Sequence, residues 1–295
     1  MREYAIITDS TSNLTKDLRD KYNVDYAYME FLYDDKNFKA DLDWNEIKPH
    51  EFYDLMRNGK KIRTTQVQYS EFKEKFKNYL KEGKDILYIS CSSALSGSIN
   101  SAYTVKTELL EEYEDAKIFI VDSLISCFGQ GYLTMKASEL RSEGKTIEEV
   151  AQYLEQNRLK VNQIATVDNL EYLKRAGRVK ATSAFFGNLL GVKPIIMSDA
   201  KGQNYAFKKV KGRQNSLSYL VDYVKENIIN SEEQIIYIAH ADCLDETNII
   251  KERIEKEIPC KGIVMDYIGP TVGATVGPGT IILYFVGKEV TIVGE

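Results

Sequence analysis

The chain has 295 residues, 43% hydrophobic and 28% charged, which is the balance of a folded protein rather than a disordered or fibrous one. Its length exceeds the roughly 100 to 200 residues of one domain and predicts two, each able to bury a core. With 39 basic against 44 acidic side chains the net charge is −5, which argues against broad electrostatic binding to nucleic acid.

The longest apolar stretches, residues 279–286 among them, fall far short of the roughly 20 residues that cross a bilayer, so no stable membrane insertion is expected. The N-terminus reaches Asp9 too soon for the apolar region of a signal peptide, and a cytoplasmic location is the expectation. Cys91, Cys127, Cys243 and Cys260 show no C-x-x-C spacing, which suggests neither a zinc knuckle nor a disulfide framework but buried thiols.

Strand-like runs at 4–8, 85–90 and 116–121 alternate with helical patterns at 51–58, 69–81, 101–113 and 132–142. That alternation predicts a mostly parallel sheet in a three-layer α/β domain. Thr146 and Glu149 have capping-box spacing and start a helix to about residue 160, closing a first domain at 1–161. The second half, 162–295, reads as a strand at 163–167, a helix, a loop at 187–196, a strand at 234–240, a helix at 245–256, and strands at 262–267, 281–286 and 289–293. A smaller α/β domain with a mixed or antiparallel sheet is expected there.

Three loops of the first half cluster hydroxyls: Thr8 to Ser12, Thr64-Thr65-Gln66, and Ser90 to Ser98, with Asp122-Ser123 as a fourth. In open parallel sheets ligands sit beyond the carboxyl ends of strands, where helix N-termini offer free N–H groups. Each hydroxyl taken alone reads as a helix N-cap, whereas the set reads as contacts to a singly charged anion. Residues 269–280 hold four glycines and two prolines, which reads as a rigid turn-rich segment able to bring Thr275 to a pocket or as a simple hairpin connection. Two basic clusters, Leu173 to Lys180 and Lys208 to Arg213, read as solvated faces or as a surface for an acidic partner. Walker A, G-x-G-x-x-G, G-x-S-x-G and H-E-x-x-H sequences are missing, and His50 and His240 are the two histidines, with His240 read as structural. Asp9 and Asp122 are the carboxylates placed to act as an acid/base pair or as Mg²⁺ ligands.

Taken together, Ile7 to Leu14, Thr64-Thr65-Gln66, Ser92 to Gly97, Val121-Asp122-Ser123, Tyr172 to Arg178, Lys193-Pro194-Ile195 and the glycine-rich segment resemble the DegV family over essentially the whole chain. The resemblance implies a two-domain α/β protein that encloses one long-chain fatty acid, its carboxylate at the domain interface and its tail in an apolar tunnel. It further implies a non-catalytic carrier in phospholipid metabolism, the lipid-binding subunit of a bacterial fatty acid kinase, which presents the carboxylate to a separate ATP-dependent kinase subunit and touches membranes only transiently. No metal or cofactor beyond the fatty acid is implied.

Carried over by position, Thr64 and Ser96 match the family's head-group contacts, with Ser93 and Gly97 in the same loop and Asp9, Ser10, Thr65, Gln66, Asp122 and Ser123 in supporting loops. Thr275 stands where the family commonly has a histidine, Thr65 replaces a serine, and Ala176 replaces a glycine. A protonated histidine adds roughly 1.5 to 3 kcal/mol against about 0.5 to 1.5 for a neutral hydroxyl, so head-group affinity should fall. A tail of about fifteen methylenes contributes on the order of 10 kcal/mol gross and should dominate binding. Lys174, Arg175, Arg178 and Arg213 are the candidate docking residues, and Phe185, Phe186, Leu189 and Leu190 read as core or as tunnel wall. Alternatives are an enzyme of unknown reaction using Asp9 or Asp122 in the same cleft, and a regulatory protein docking a partner through the basic cluster.

Overall fold

The computed structural model describes residues 2–182, 185 and 191–294. The first half opens with β1 (Tyr4–Asp9) and α1 (Lys16–Tyr22), the helix capped by Thr15 and closed by Asn23 in the left-handed region at φ 47°. Next come β2 (Asp25–Ala27), a hairpin of β3 (Met29–Tyr33) and β4 (Lys36–Ala40), α2 (Pro49–Arg57), and β5 (Arg63–Thr64), which pairs with β3. Then follow α3 (Tyr69–Lys81), β6 (Asp85–Ser90), α4 (Ser98–Glu112), β7 (Ile118–Asp122), α5 (Cys127–Ser142) and α6 (Ile147–Asn157). The sheet order β2-β1-β6-β7 is parallel throughout, and every residue of β1 and β6 is buried, as a sheet covered on both faces requires. The capping box of α6 forms as its spacing predicts, with Thr146 Oγ1 accepting from Glu149 N–H at 3.2 Å and Glu149 Oε2 accepting from Thr146 N–H at 2.8 Å.

The second half holds β8 (Val161–Thr166), α7 (Glu171–Ala176), β9 (Val192–Ser198), β10 (Asn204–Lys211), α8 (Arg213–Asn227), β11 (Ile235–His240), α9 (Leu244–Glu257), β12 (Gly262–Tyr267), α10 (Pro270–Val276) and β13 (Ile281–Val286). Its sheet has the order β10-β9-β8-β13-β11-β12 and is antiparallel except for β11 and β12. The period-two alternation of strands divides this sheet between two cores. Ile164, Ile236, Ile238 and Leu283 pack against α8 and α9, while Ala165, Tyr237, Ala239 and Ile282 face the first half. α5 lies between the sheets, touching β1 and β6 on one side and β8, β11 and β13 on the other, with eleven residues buried. Among the described residues no helix is long and apolar enough to cross a membrane.

Four expectations are corrected. The described part of the loop expected at 187–196 is the strand β9, paired with both β8 and β10, and Pro194 sits within it in register with Lys209. The strand expected at 289–293 is an irregular strap, tied by Val290 N–H to Leu159 O and by Ala200 N–H to Ile292 O, each at 2.8 Å. The glycine-rich segment is largely the helix α10, with Pro270 in its first turn, where a missing N–H costs nothing. Cys243 and Cys260 are half-buried rather than buried, and all four thiols are free. Phe185 packs on the core, whereas Phe186, Leu189 and Leu190 lie outside the described residues.

Candidate functional site

A cleft with about 910 Å³ of atom-free space, counted to its open mouth, lies between the two sheets. The carboxyl end of β1 supplies Thr11, the loop after β6 supplies Cys91, Leu95, Ser96 and Gly97, and the small sheet supplies Met29 and Thr64 to Gln66. Across from them stand Ala165, Val167, Ile196 and Ile282 of the second sheet, and Thr271, Val272, Thr275 and Val276 of α10. A larger depression of about 1420 Å³, lined by Arg2, Tyr4, Arg19 and Arg141, opens at the opposite, amino end of β1. Its Arg141 donates to the Tyr22 and Asn23 carbonyls at the end of α1, a structural cap.

Thr64, Ser96 and Thr275 line the cleft together, although the chain places them far apart. Ser96 Oγ lies 2.9 Å from Ser98 Oγ and accepts from Ser98 N–H at 3.3 Å, while Ser98 Oγ accepts from Val67 N–H at 3.0 Å. When Ser98 donates to Ser96, the Ser96 O–H is free to donate to a ligand. Thr64 Oγ1 and Gly97 N–H have no hydrogen-bond partner among the described residues, and Thr275 Oγ1 makes one long bond of 3.3 Å to Thr271 O. Thr65 is committed to the small sheet, exchanging bonds with the Glu30 backbone at 2.9 and 3.3 Å. Gln66 donates to Ser101 Oγ at 2.9 Å, and its Oε1 packs so closely on Gly97 that a Cβ there would overlap it.

Among the described residues, those lining the cleft include no Asp or Glu. Arg178 is the cation among them, its Nε donating to Leu95 O at 3.0 Å and its Nη1 to Ala176 O at 2.6 Å. Cys91 is a neutral thiol, because burial and then the Asp9 carboxylate push its pKa up.

The other predicted residues sit elsewhere. Asp9 is buried and fully bonded: Oδ1 accepts from Thr11 N–H at 3.0 Å and from the Thr11 hydroxyl, and Oδ2 accepts from Tyr88 at 2.8 Å and Cys91 N–H at 3.0 Å. Asp122 Oδ1 accepts from the N–H groups of Ser93 and Leu124, both at 3.1 Å. Neither carboxylate lines the cleft. Ser93 is exposed outside it, Ser10 Oγ accepts from Met29 N–H at 2.9 Å, and Ser123 Oγ donates to Ile125 O at 2.9 Å. These three shape loops.

Several of the basic residues are engaged locally. Arg213 is held by Glu246 at 2.6 Å and donates to Gly279 O at 2.6 Å, Lys174 pairs with Glu171 at 3.7 Å, and Arg175 lies over the Tyr172 ring at 5.1 Å. Sequence reasoning missed Gln163 and Asn204 in the cleft wall, and Thr271 one turn before Thr275. The Thr271-x-x-x-Thr275 spacing carries the signal for one helix face, hidden by the glycines around it.

Both histidines lie outside the cleft. His240 is 2% exposed against Tyr267, its Nδ1 has no partner, and burial pushes its pKa down to about 4. His50 and Arg57 of α2 bind Asp242, after β11, at 2.8 and 2.5 Å, joining the two halves. Burial raises the Asp242 carboxyl, but the bonds from Arg57 and His50 outweigh it and leave its pKa lowered.

Fold and cleft define a mixed α/β protein of three sheets, with a cleft between the two larger ones. The chain belongs to the DegV family: the family's model, described as an uncharacterised protein family, matches residues 3–288. A DegV domain-containing protein of Clostridium perfringens is 38% identical over 287 residues, 97% of this chain and 98% of that one. Among solved structures, the fatty-acid-binding DegV family protein of Thermus thermophilus is 26% identical with a TM-score of 0.85, covering 96% of this chain and 99% of its own. A DegV lipid-binding protein of Thermotoga maritima is 25% identical with a TM-score of 0.83, covering 98% and 100%.

Proposed function

We propose that this chain is a fatty-acid carrier whose halves, residues 1–161 and 162–295, act as two domains closing on one long-chain fatty acid. The carboxylate is held by Thr64, Ser96 and Thr275, and the tail lies against the apolar wall. The observation that carries this reading is the make-up of the cleft, whose lining among the described residues includes no carboxylate and offers the Ser96 hydroxyl, the Gly97 N–H and the Arg178 guanidinium beside aliphatic side chains. Such a wall disfavours a cation and suits one anionic head on an apolar body. The fatty-acid-binding relatives support the same ligand class.

The carrier works in the cytoplasm and presents the carboxylate to a separate ATP-dependent kinase subunit that docks on Lys174, Arg175 and Arg178 beside the mouth. Arg178 suits that role, because it is exposed at the cleft and also bonded to the Ser96 loop.

Denaturing extraction of the purified protein followed by mass spectrometry should yield one long-chain acid per chain, and finding none after expression in a lipid-replete host would sink the carrier reading. Thr64→Val with Ser96→Ala removes two head-group bonds and should weaken fatty-acid binding by about 1 to 3 kcal/mol in a displacement titration. For the partner, pull-down of the kinase subunit should fail with the Lys174→Glu, Arg175→Glu double variant, whose residues lie outside the cleft lining, while fatty-acid content is retained.

A further inference from the structure

The cleft wall beyond the head-group hydroxyls is more polar than a hydrocarbon tail requires. Thr271 contributes to the wall, is only 7% exposed, and its Oγ1 is a buried hydroxyl without a hydrogen-bond partner. Helical threonine populates two χ1 rotamers that exchange Oγ1 with Cγ2, so this oxygen can be turned to the cleft without moving the backbone. A second polar element is Gln163, 6% exposed, which donates from Nε2 to Asn204 Oδ1 at 2.7 Å and leaves its Oε1 unbonded among the described residues. Thr271 lines the wall together with Gln163, on β8, and Asn204, at the start of β10. A saturated chain laid against these groups would leave Thr271 Oγ1 unpaired as it stands and would shield Gln163 Oε1 with nothing in return.

We propose that the cleft selects an acyl chain bearing an oxygen along its length, a hydroxy fatty acid, and that Thr271 is the specificity-determining residue that reads it. This rests on the carboxylate reading, which fixes the head. Thr271 lies one helical turn, about 6 Å, from Thr275, so the oxygen is read within the chain rather than at the head. A site built to bond a ligand hydroxyl discriminates against the analogue that lacks it, because its own polar groups are then stranded.

The test uses the full chain stripped of co-purified lipid and displacement of a fluorescent fatty acid by stearic acid and by hydroxystearic acids with the hydroxyl at successive carbons. One isomer should bind about two- to twelvefold more tightly than stearic acid, the range of a single neutral hydrogen bond. Thr271→Val should erase that preference, and Thr271→Ser should keep it. If stearic acid binds and no isomer exceeds it, the proposal is overturned and the carboxylate reading stands. If neither class displaces the probe, both fall. A preference that survives in Thr271→Val removes Thr271 as the reader.

Discussion

At the scale of single residues, each polar group is defined by what already occupies it. Asp9 accepts from Thr11, Tyr88 and Cys91, so its oxygens are taken up in joining β1 to the loop after β6, whereas Ser96 Oγ shares one bond with Ser98 Oγ in which either hydroxyl can donate. His240 is the opposite case, a base held neutral. Its folded pKa of about 4 lies below the ordinary 6.5, so above about pH 6.5 it is uncharged in both states and its contribution to stability is fully present. As pH falls through 6.5 toward 4 the unfolded chain takes up the proton first, and stability should drop by about 3 kcal/mol. Urea denaturation at pH 7 and pH 4.5 should show this loss in the wild type. The loss should be mostly absent from His240→Phe, which keeps a ring against Tyr267.

At the scale of elements, α5 shows why a helix between two sheets tolerates glycine. A Cβ on Gly131 would lie 2.5 Å from Ser12 O, a backbone atom, and one on Gly129 would lie 2.5 Å from Cδ1 and 2.8 Å from Cγ1 of the buried Ile125. Gly131→Ala and Gly129→Ala should therefore each cost about 1 to 3 kcal/mol by overpacking, read from urea midpoints. The same close approach explains what the sequence left hidden. β1, β6, α3 and the α6 capping box were legible because their signals are local, in apolar runs and cap spacing. α10 was not, because its glycines read as turns, yet Gly273 sits within the helix where a Cβ would lie 2.5 Å from Tyr53 Oη. That demand comes from a side chain 220 positions away, which periodicity cannot report. Likewise Thr64, Ser96 and Thr275 could be named from motifs, but Thr271, Gln163 and Asn204 become wall residues only through packing.

At the scale of the whole molecule, the cleft exists only where the two halves meet, so whatever joins them also shapes the site. Arg57 Nη1 pairs with Asp242 Oδ2 at 2.5 Å, and Arg57 Nη2 donates to Asp242 O at 2.9 Å, while Tyr53 donates to Ile268 O at 2.6 Å. Asp242 holds its turn at φ 56°, a region asparagine also tolerates, so Asp242→Asn keeps the backbone while removing the charge. A double-mutant cycle with Arg57→Ala should give a coupling of about 1 to 2 kcal/mol in unfolding free energy, since the pair is partly shielded from solvent.

A ligand held by both halves stabilises them as one unit. At one hundred times its Kd it should add about 2.7 kcal/mol to unfolding. Hydrogen exchange should then slow in β6 and in β13 alike, because Ser96 follows the first and Ile282 belongs to the second, and both line the cleft. Protection confined to one of these strands would mean that the ligand engages a single half. Arg57→Ala should weaken binding as well as folding, for it loosens the junction that gives the cleft its second wall.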